Sequence, residues 1–238
     1  MTARAPALVA ISHGTSSELG RAAVRALHDA VAAAVSDGPT VLLGHVDVEQ
    51  PDVAATLGAL DPGEPAVIVP LLLSAGYHVH VDLTDAVHAT RDRPVTLAGA
   101  LGPDDRLIDV MRSRCREAGV HDDDVLVLAV AGSSDARAVR DCHATAERFS
   151  AVLGREVRIG FLSAAAPRLP DAIAEARTAH PEARIVAVSY LLAQGFFQDL
   201  IEKAGADVVT PPLLIAGQPV PRPLVQIVLD RYAAASGA

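Results

Sequence analysis

A single lysine, Lys203, stands against nineteen arginines in this chain of 238 residues. With abundant alanine, that imbalance reads as the codon bias of a GC-rich genome, and it leaves lysine Schiff-base chemistry with almost no candidate. Cysteine is nearly as scarce. Cys115 and Cys142 are isolated, with no CxxC spacing, so they read as buried or idle thiols rather than as a disulfide or metal framework. There is no basic run and the net charge is −9, which argues against nucleic acid and against anionic membrane surfaces as partners. A small anion is still admissible, since local arginines can override the global field. No apolar run is long enough for a bilayer: the longest, residues 66–73, is broken by Ser74 and falls far short of the roughly 20 residues a spanning helix needs. The N-terminus has one arginine and then a short apolar stretch ending in Ser-His-Gly, a poor secretory signal, so a soluble cytoplasmic protein is expected. Neither GxGxxG nor GxxxxGK[ST] occurs, so a bound nucleotide or dinucleotide has no support.

Apolar residues make up half the sequence, enough to bury a large core. Short apolar runs alternate with alanine-rich amphipathic stretches. Residues 7–11, 41–46, 66–73 and 95–98 read as strands, with helices expected at 20–35, 51–60, 82–90 and 106–117. The pattern resumes with strands at 125–130, 157–161, 185–188 and 207–209, and helices at 136–152, 169–179, 195–204 and 224–233. Such alternation implies right-handed crossovers and parallel sheets covered on both faces. Gly119-Val-His-Asp-Asp-Asp124 breaks the rhythm, so two α/β units are expected, 1–118 and 122–238, each with about four parallel strands.

The two halves resemble each other. Ile-Ser-His-Gly-Thr at 11–15 is answered by Val-Ala-Gly-Ser-Ser at 130–134, and Ser-Ala-Gly-Tyr-His at 74–78 by Ala-Gln-Gly-Phe-Phe at 193–197. Gly14 matches Gly132 and Gly76 matches Gly195, but Ala131 stands opposite His13 and Phe197 opposite His78. Loops kept and imidazoles lost suggest one working half and one supporting half.

In open parallel sheets the functional crevice lies beyond the carboxyl ends of the strands. His13 falls just past the first strand and His78 just past the third, while Asp47 and Glu49 follow the second; all are expected on one rim. Thr15 with Glu18 is expected to form a capping box that fixes the loop carrying His13. His78 and His80 lie two apart, so they share a side if the segment is extended and diverge if it opens a helix. Imidazole with carboxylate suits iron, cobalt, nickel or zinc better than calcium or magnesium. Ligands drawn from separate strands do not make an HExxH helix. Ser12 beside His13 hints at a hydrolase, but the GxSxG elbow is missing. His28, His88, His121, His143 and His180 read as surface residues, and His45 as core or rim.

At His13-Gly14-Thr15, at Val69–Val79 (Val-Pro-Leu-Leu-Leu-Ser-Ala-Gly-Tyr-His-Val) and at Ala-Leu-Gly-Pro-Asp 100–104, the sequence resembles the sirohydrochlorin chelatase family, the CbiX/SirB-type class II chelatases. The likeness extends through residues 129–134 and 189–197 and so covers nearly the whole chain, matching the long, fused form of the family. It implies two tandem flavodoxin-like lobes with a macrocycle cleft between them. It also implies insertion of a divalent metal, Fe²⁺ or Co²⁺ with Ni²⁺ admissible, into sirohydrochlorin without a nucleotide, giving siroheme or a cobalt-corrinoid precursor. The family's metal-site histidines fall on His13 and His78, its acidic partner on Asp47 with Glu49 in reserve. Gly14, Thr15, Ser74, Ala75, Gly76, Tyr77 and His80 fall on its substrate-contacting segments. Many relatives carry arginine where this chain has His80. The histidines would accept pyrrole protons or hold the incoming ion, and Asp47 would orient a histidine or complete the metal's shell. Glycine-loop amides, with help from arginines, are expected to meet the substrate carboxylates. A tetrapyrrole or metal carrier without turnover is the alternative. A fused chain needs no second copy to form the cleft, so both monomer and homodimer are compatible.

Overall fold

Short loops between strands and helices leave one efficient way to pack, a parallel sheet with right-handed crossovers, and this chain builds it twice. The computed structural model describes residues 5–36, 38–74, 76 and 78–237, with the side chains of 78–80 outside the description. The first half runs β1 (Ala7–Ser12), α1 (Glu18–Ala34), β2 (Val41–His45), α2 (Val53–Gly58) and β3 (Ala66–Pro70). A π-helical turn (His78–Leu83) then leads into α3 (Thr84–Ala89), β4 (Val95–Leu97) and α4 (Asp105–Glu117). The second half repeats the order with β5 (Val125–Val130), α5 (Ala136–Leu153), β6 (Val157–Phe161), α6 (Leu169–Ala179) and β7 (Ile185–Tyr190). It closes with α7 (Phe196–Glu202), β8 (Val208–Val209) and α8 (Arg222–Ser236).

Each half forms a four-stranded, all-parallel sheet, ordered β2-β1-β3-β4 and β6-β5-β7-β8. The fold class is therefore two tandem flavodoxin-like α/β lobes, as the strand–helix alternation predicts. Central strands β1, β3, β5 and β7 are apolar almost throughout because both their faces are covered. Alternation sorts their side chains into layers. Leu8 and Ala10 join Leu126 and Leu128 in one core that runs between the sheets and includes α1, α4, α5 and α8. Val9 and Ile11 point to an outer core under α2, while Val127 and Ala129 point to another under α6.

The two lobes exchange their last helices. α4 packs on β7 of the second sheet, and α8 on β3 and β4 of the first. Each handed-over helix brings a half-buried or buried arginine to the loop after its host's fourth strand. Arg114 donates to the Leu213 carbonyl (Nη2–O 2.7 Å) and Arg231 to the Ala100 carbonyl (Nε–O 2.8 Å).

Several boundaries differ from the pattern-based expectation. Strand β3 stops at Pro70 because the chain then leaves the ladder; the Leu72 carbonyl is taken by the Leu101 N–H at 2.8 Å. The expected Thr15–Glu18 capping box does not form. Helix α1 begins at Glu18 with Ser17 as its N-cap, whose hydroxyl accepts the Gly20 N–H at 3.2 Å. Thr15 lies two residues too early; its hydroxyl instead accepts the Ser17 N–H at 3.1 Å. Among the described residues no helix is long and apolar enough to cross a membrane.

Candidate active site

In the order β2-β1-β3-β4 the chain reverses direction across the sheet between β1 and β3, so the loops after those strands diverge and open a crevice. The same happens between β5 and β7. Exchanged helices bring the two crevices face to face, and together they enclose a cavity of about 750 Å³. Loops from both halves line it: Ser12 to Ser16 and Leu71 to Ser74 on one side, Val130 to Ser134 and Tyr190 to Gln198 on the other. Close approach across it relies on glycine. A Cβ on Gly76 would lie 3.2 Å from the Ser133 hydroxyl, and one on Gly195 lies 3.1 Å from that of Thr15.

Of the residues singled out in the sequence, His13, Gly14, Thr15, Ser74 and Gly76 line this cavity. His13 is exposed, and its Nδ1 lies 3.3 Å from the Gly14 carbonyl. Asp47 is exposed beside the wall, which its neighbour Val48 joins; its Oδ1 accepts the Val48 N–H at 2.7 Å. The backbone from His78 is helical and not extended, and it starts two residues beyond Gly76. The side chains of His78 and His80, and the whole of Ala75 and Tyr77, lie outside the described residues. Among the described residues no three His, Cys, Asp or Glu side chains cluster as metal ligands.

Glu49 has a different place. Its side chain is largely buried and Oε1 accepts the Thr15 N–H at 2.8 Å, while Arg21 bridges Glu49 Oε2 at 3.3 Å and the Thr15 carbonyl at 2.9 Å. His45 is core rather than rim. It is 6% exposed, with Nδ1 2.8 Å from the Ser12 hydroxyl and 3.8 Å from Glu49 Oε1. Burial holds the His45 imidazole below its ordinary value, against a smaller upward pull from Glu49. Serine and carboxylate approach the same ring nitrogen, so the trio cannot work as a hydrolytic relay, which needs one on each. Ser12, set aside as a nucleophile, and His45, read as core or rim, are thus joined, and Arg21 carries no signal in the sequence; a polar pair at the ends of adjacent strands is the signal for the first two. Of the other histidines, His88, His121, His143 and His180 are exposed as expected, and His28 is half-buried, near the Val41 carbonyl.

The second half reproduces the loops without the chemistry. Gly14 and Gly132 have φ of +93° and +87°, and a Cβ on either would sit 2.0 Å from a carbonyl oxygen, that of Asp47 or Ser163. Val48 and Ala164 share a left-handed backbone at φ 65° and 56°. Yet His13, His45, Asp47 and Glu49 correspond to Ala131, Phe161, Ser163 and Ala165. Tyr190 of the second half closes the floor. Burial pushes its phenol up, and it donates to the Leu73 carbonyl at 3.2 Å, in the loop that leads to His78. No arginine or lysine is among the described lining residues; hydroxyls of serine and threonine rim the cavity instead.

The sequence profile of the CbiX family matches residues 7–118 and 125–209. The chain belongs to the CbiX family. No curated protein matches it. Solved structures with the same fold include SirB from Bacillus subtilis with Fe³⁺, at a TM-score of 0.80 and 20% identity over 98% of both chains. The sirohydrochlorin chelatase SirB from B. subtilis subspecies spizizenii, in complex with cobalt, gives 0.78 and 17% over 98% of this chain and 96% of that one. CbiX, the terminal enzyme for siroheme biosynthesis in denitrifying bacteria, gives 0.66 and 17% over 94% and 98%. At such identity the likeness is one of fold, with both lobes of this CbiX-family chain included.

Proposed function

We propose that this CbiX-family protein inserts a divalent metal ion, Fe²⁺ or Co²⁺, into sirohydrochlorin in the cleft between its lobes. The observation that carries the reading is the asymmetry of the cleft: two halves with the same loop geometry, of which only the first offers imidazole and carboxylate. Metal-bound relatives of the same fold support it.

Metallation removes two pyrrole N–H protons from the macrocycle while the ion exchanges water for ring nitrogens. The imidazole of His13 is suited to take a proton or to hold the ion as it sheds water. His78, on the β3 loop, would serve as its counterpart, and Asp47 would complete the ion's shell or orient a histidine. Glu49 is committed to Thr15 and Arg21, which favours Asp47 over Glu49 as the acidic partner. An apolar floor from Leu71, Leu72, Leu191 and Leu192 suits the faces of the ring. Amides and hydroxyls around Gly14, Thr15, Ser74 and Gly76 suit its carboxylates, and Ala75, Tyr77 and His80, neighbours of these in sequence, are proposed to join them. Water excluded from such a cleft strengthens each of these contacts.

The test is anaerobic insertion of Fe²⁺ and of Co²⁺ into sirohydrochlorin, followed by absorbance, for wild type, His13→Ala and His78→Ala. Acceleration over the spontaneous rate, lost in both folded variants, supports the reading. Stoichiometric binding of metal or tetrapyrrole without acceleration would make the protein a carrier.

A further inference from the structure

His13 sits between Ser12 and Thr15, and Asp47 between His45 and Glu49. The flanks are joined pairwise: Ser12 to His45 at 2.8 Å on one side, Thr15 to Glu49 at 2.8 Å on the other. Arg21 fastens the second joint from outside, touching both Glu49 and the Thr15 carbonyl. The two residues assigned to the metal are thus bracketed by side-chain crosslinks.

The second half shows that the loop fold does not depend on these crosslinks. The backbone ties are the same in both halves. Val46 N–H to Ser12 O and Asp47 N–H to His13 O are 2.9 Å each, as are Leu162 N–H to Val130 O and Ser163 N–H to Ala131 O. The turn hydroxyls match too, Ser17 N–H to Thr15 at 3.1 Å and Asp135 N–H to Ser133 at 3.0 Å. With Val130, Phe161 and Ala165 in place of Ser12, His45 and Glu49, the second half keeps these ties and adds one short bond, from the Ser163 hydroxyl to the Ala131 carbonyl at 2.8 Å. Apolar side chains at buried positions are usually no worse for stability than a buried charged group, so folding alone does not account for the polar set.

We propose that Ser12, His45, Glu49 and Arg21 form a positioning network that holds the His13 and Asp47 loops in register for an incoming divalent metal. None of the four contacts the ion. Their effect is to lower the reorganisation needed when it arrives, the role outer partners play at metal sites. This rests on the chelatase reading above.

The experiment copies the second half into the first with the double variant H45F/E49A, beside E49A and E49Q alone. Three quantities are read: thermal unfolding, Co²⁺ affinity from the visible absorption of the protein–metal complex without tetrapyrrole, and KM for metal and for sirohydrochlorin separately. The expected result is a folded double variant whose Co²⁺ affinity falls by about tenfold or more. Its KM for metal rises in step and its KM for sirohydrochlorin stays within about twofold. E49Q, whose amide oxygen still accepts the Thr15 N–H, should recover most of the loss seen in E49A. Unchanged metal affinity and metal KM in a folded E49A or H45F/E49A overturns the network, as does an E49Q as weak as E49A. A wild type that binds and inserts no metal would instead sink the chelatase reading, and the network with it.

Discussion

Arg231 Nε donates to the Ala100 carbonyl at 2.8 Å, tying the last helix of the chain to a loop 131 residues earlier. The same guanidinium reaches the Leu101 carbonyl at 3.1 Å and Asp104 at 3.3 Å. Removing it orphans two carbonyls at the lobe junction. Arg231→Ala is expected to cost about 2 kcal/mol, and Arg114→Ala, whose side chain is more deeply buried, about 3 kcal/mol. Urea unfolding measures both, and a loss well under about 1 kcal/mol in either would show that the junction does not rely on them.

Gly14→Ala and Gly132→Ala meet the same obstacle, a carbonyl oxygen at 2.0 Å and a φ near +90°. Each is expected to lose about 2–4 kcal/mol, and the two losses should agree closely. Only Gly14→Ala should depress metal insertion beyond what its lost folded fraction explains.

Ala164 holds a left-handed backbone with no glycine to ease it, at φ 56°. Since Val48 does the same in the first half, the conformation belongs to the turn and not to the chemistry. Ala164→Gly should therefore gain about 0.5–1 kcal/mol on thermal unfolding, after the entropy glycine adds to the unfolded chain. A loss would mean that the turn is not strained.

Burial lowers His45 below its ordinary 6.5. The unfolded chain then takes up the proton more readily than the folded one, so this contribution to stability is complete above 6.5 and drains away as the pH falls through the folded value. His45→Phe removes the proton acceptor. Urea midpoints at about pH 7.5 and about pH 5 should fall further for wild type than for His45→Phe, and equal falls would contradict the account.

Burial also pushes the Cys142 thiol up to about 12 and that of Cys115 to about 11. Neither should react with a thiol reagent at about pH 8 in the native protein, while both should in denaturant. Fast native labelling of Cys142, which lies on the cleft wall, would point to an open floor.

The strands were plain in the sequence because a strand covered on both faces has no alternation to disguise it, and Leu8, Val69, Leu128 and Val188 lie in unbroken apolar runs. His13 was plain because it ends such a run, and the emptied second half threw it into relief. The Ser12–His45 pair was hidden, since its members are 33 residues apart and meet only once β1 lies beside β2. Thr15 and Glu18 misled for the opposite reason: a local motif was present, but Ser17 was nearer the first turn and Glu49 took the amide. Amphipathic α4 and α8 announced that one face of each is buried, without saying against which sheet.

The exchange of α4 and α8 between the lobes bears on ancestry. A lobe of this build cannot close over its own sheet, because the helix that should do so has gone to its neighbour. A half-length chain would complete itself only by trading helices with a twin, and joining twins end to end would then require only a linker such as residues 119–124. Once joined, one partner could shed its imidazoles and keep its scaffold, which is the division of labour seen between His13 and Ala131.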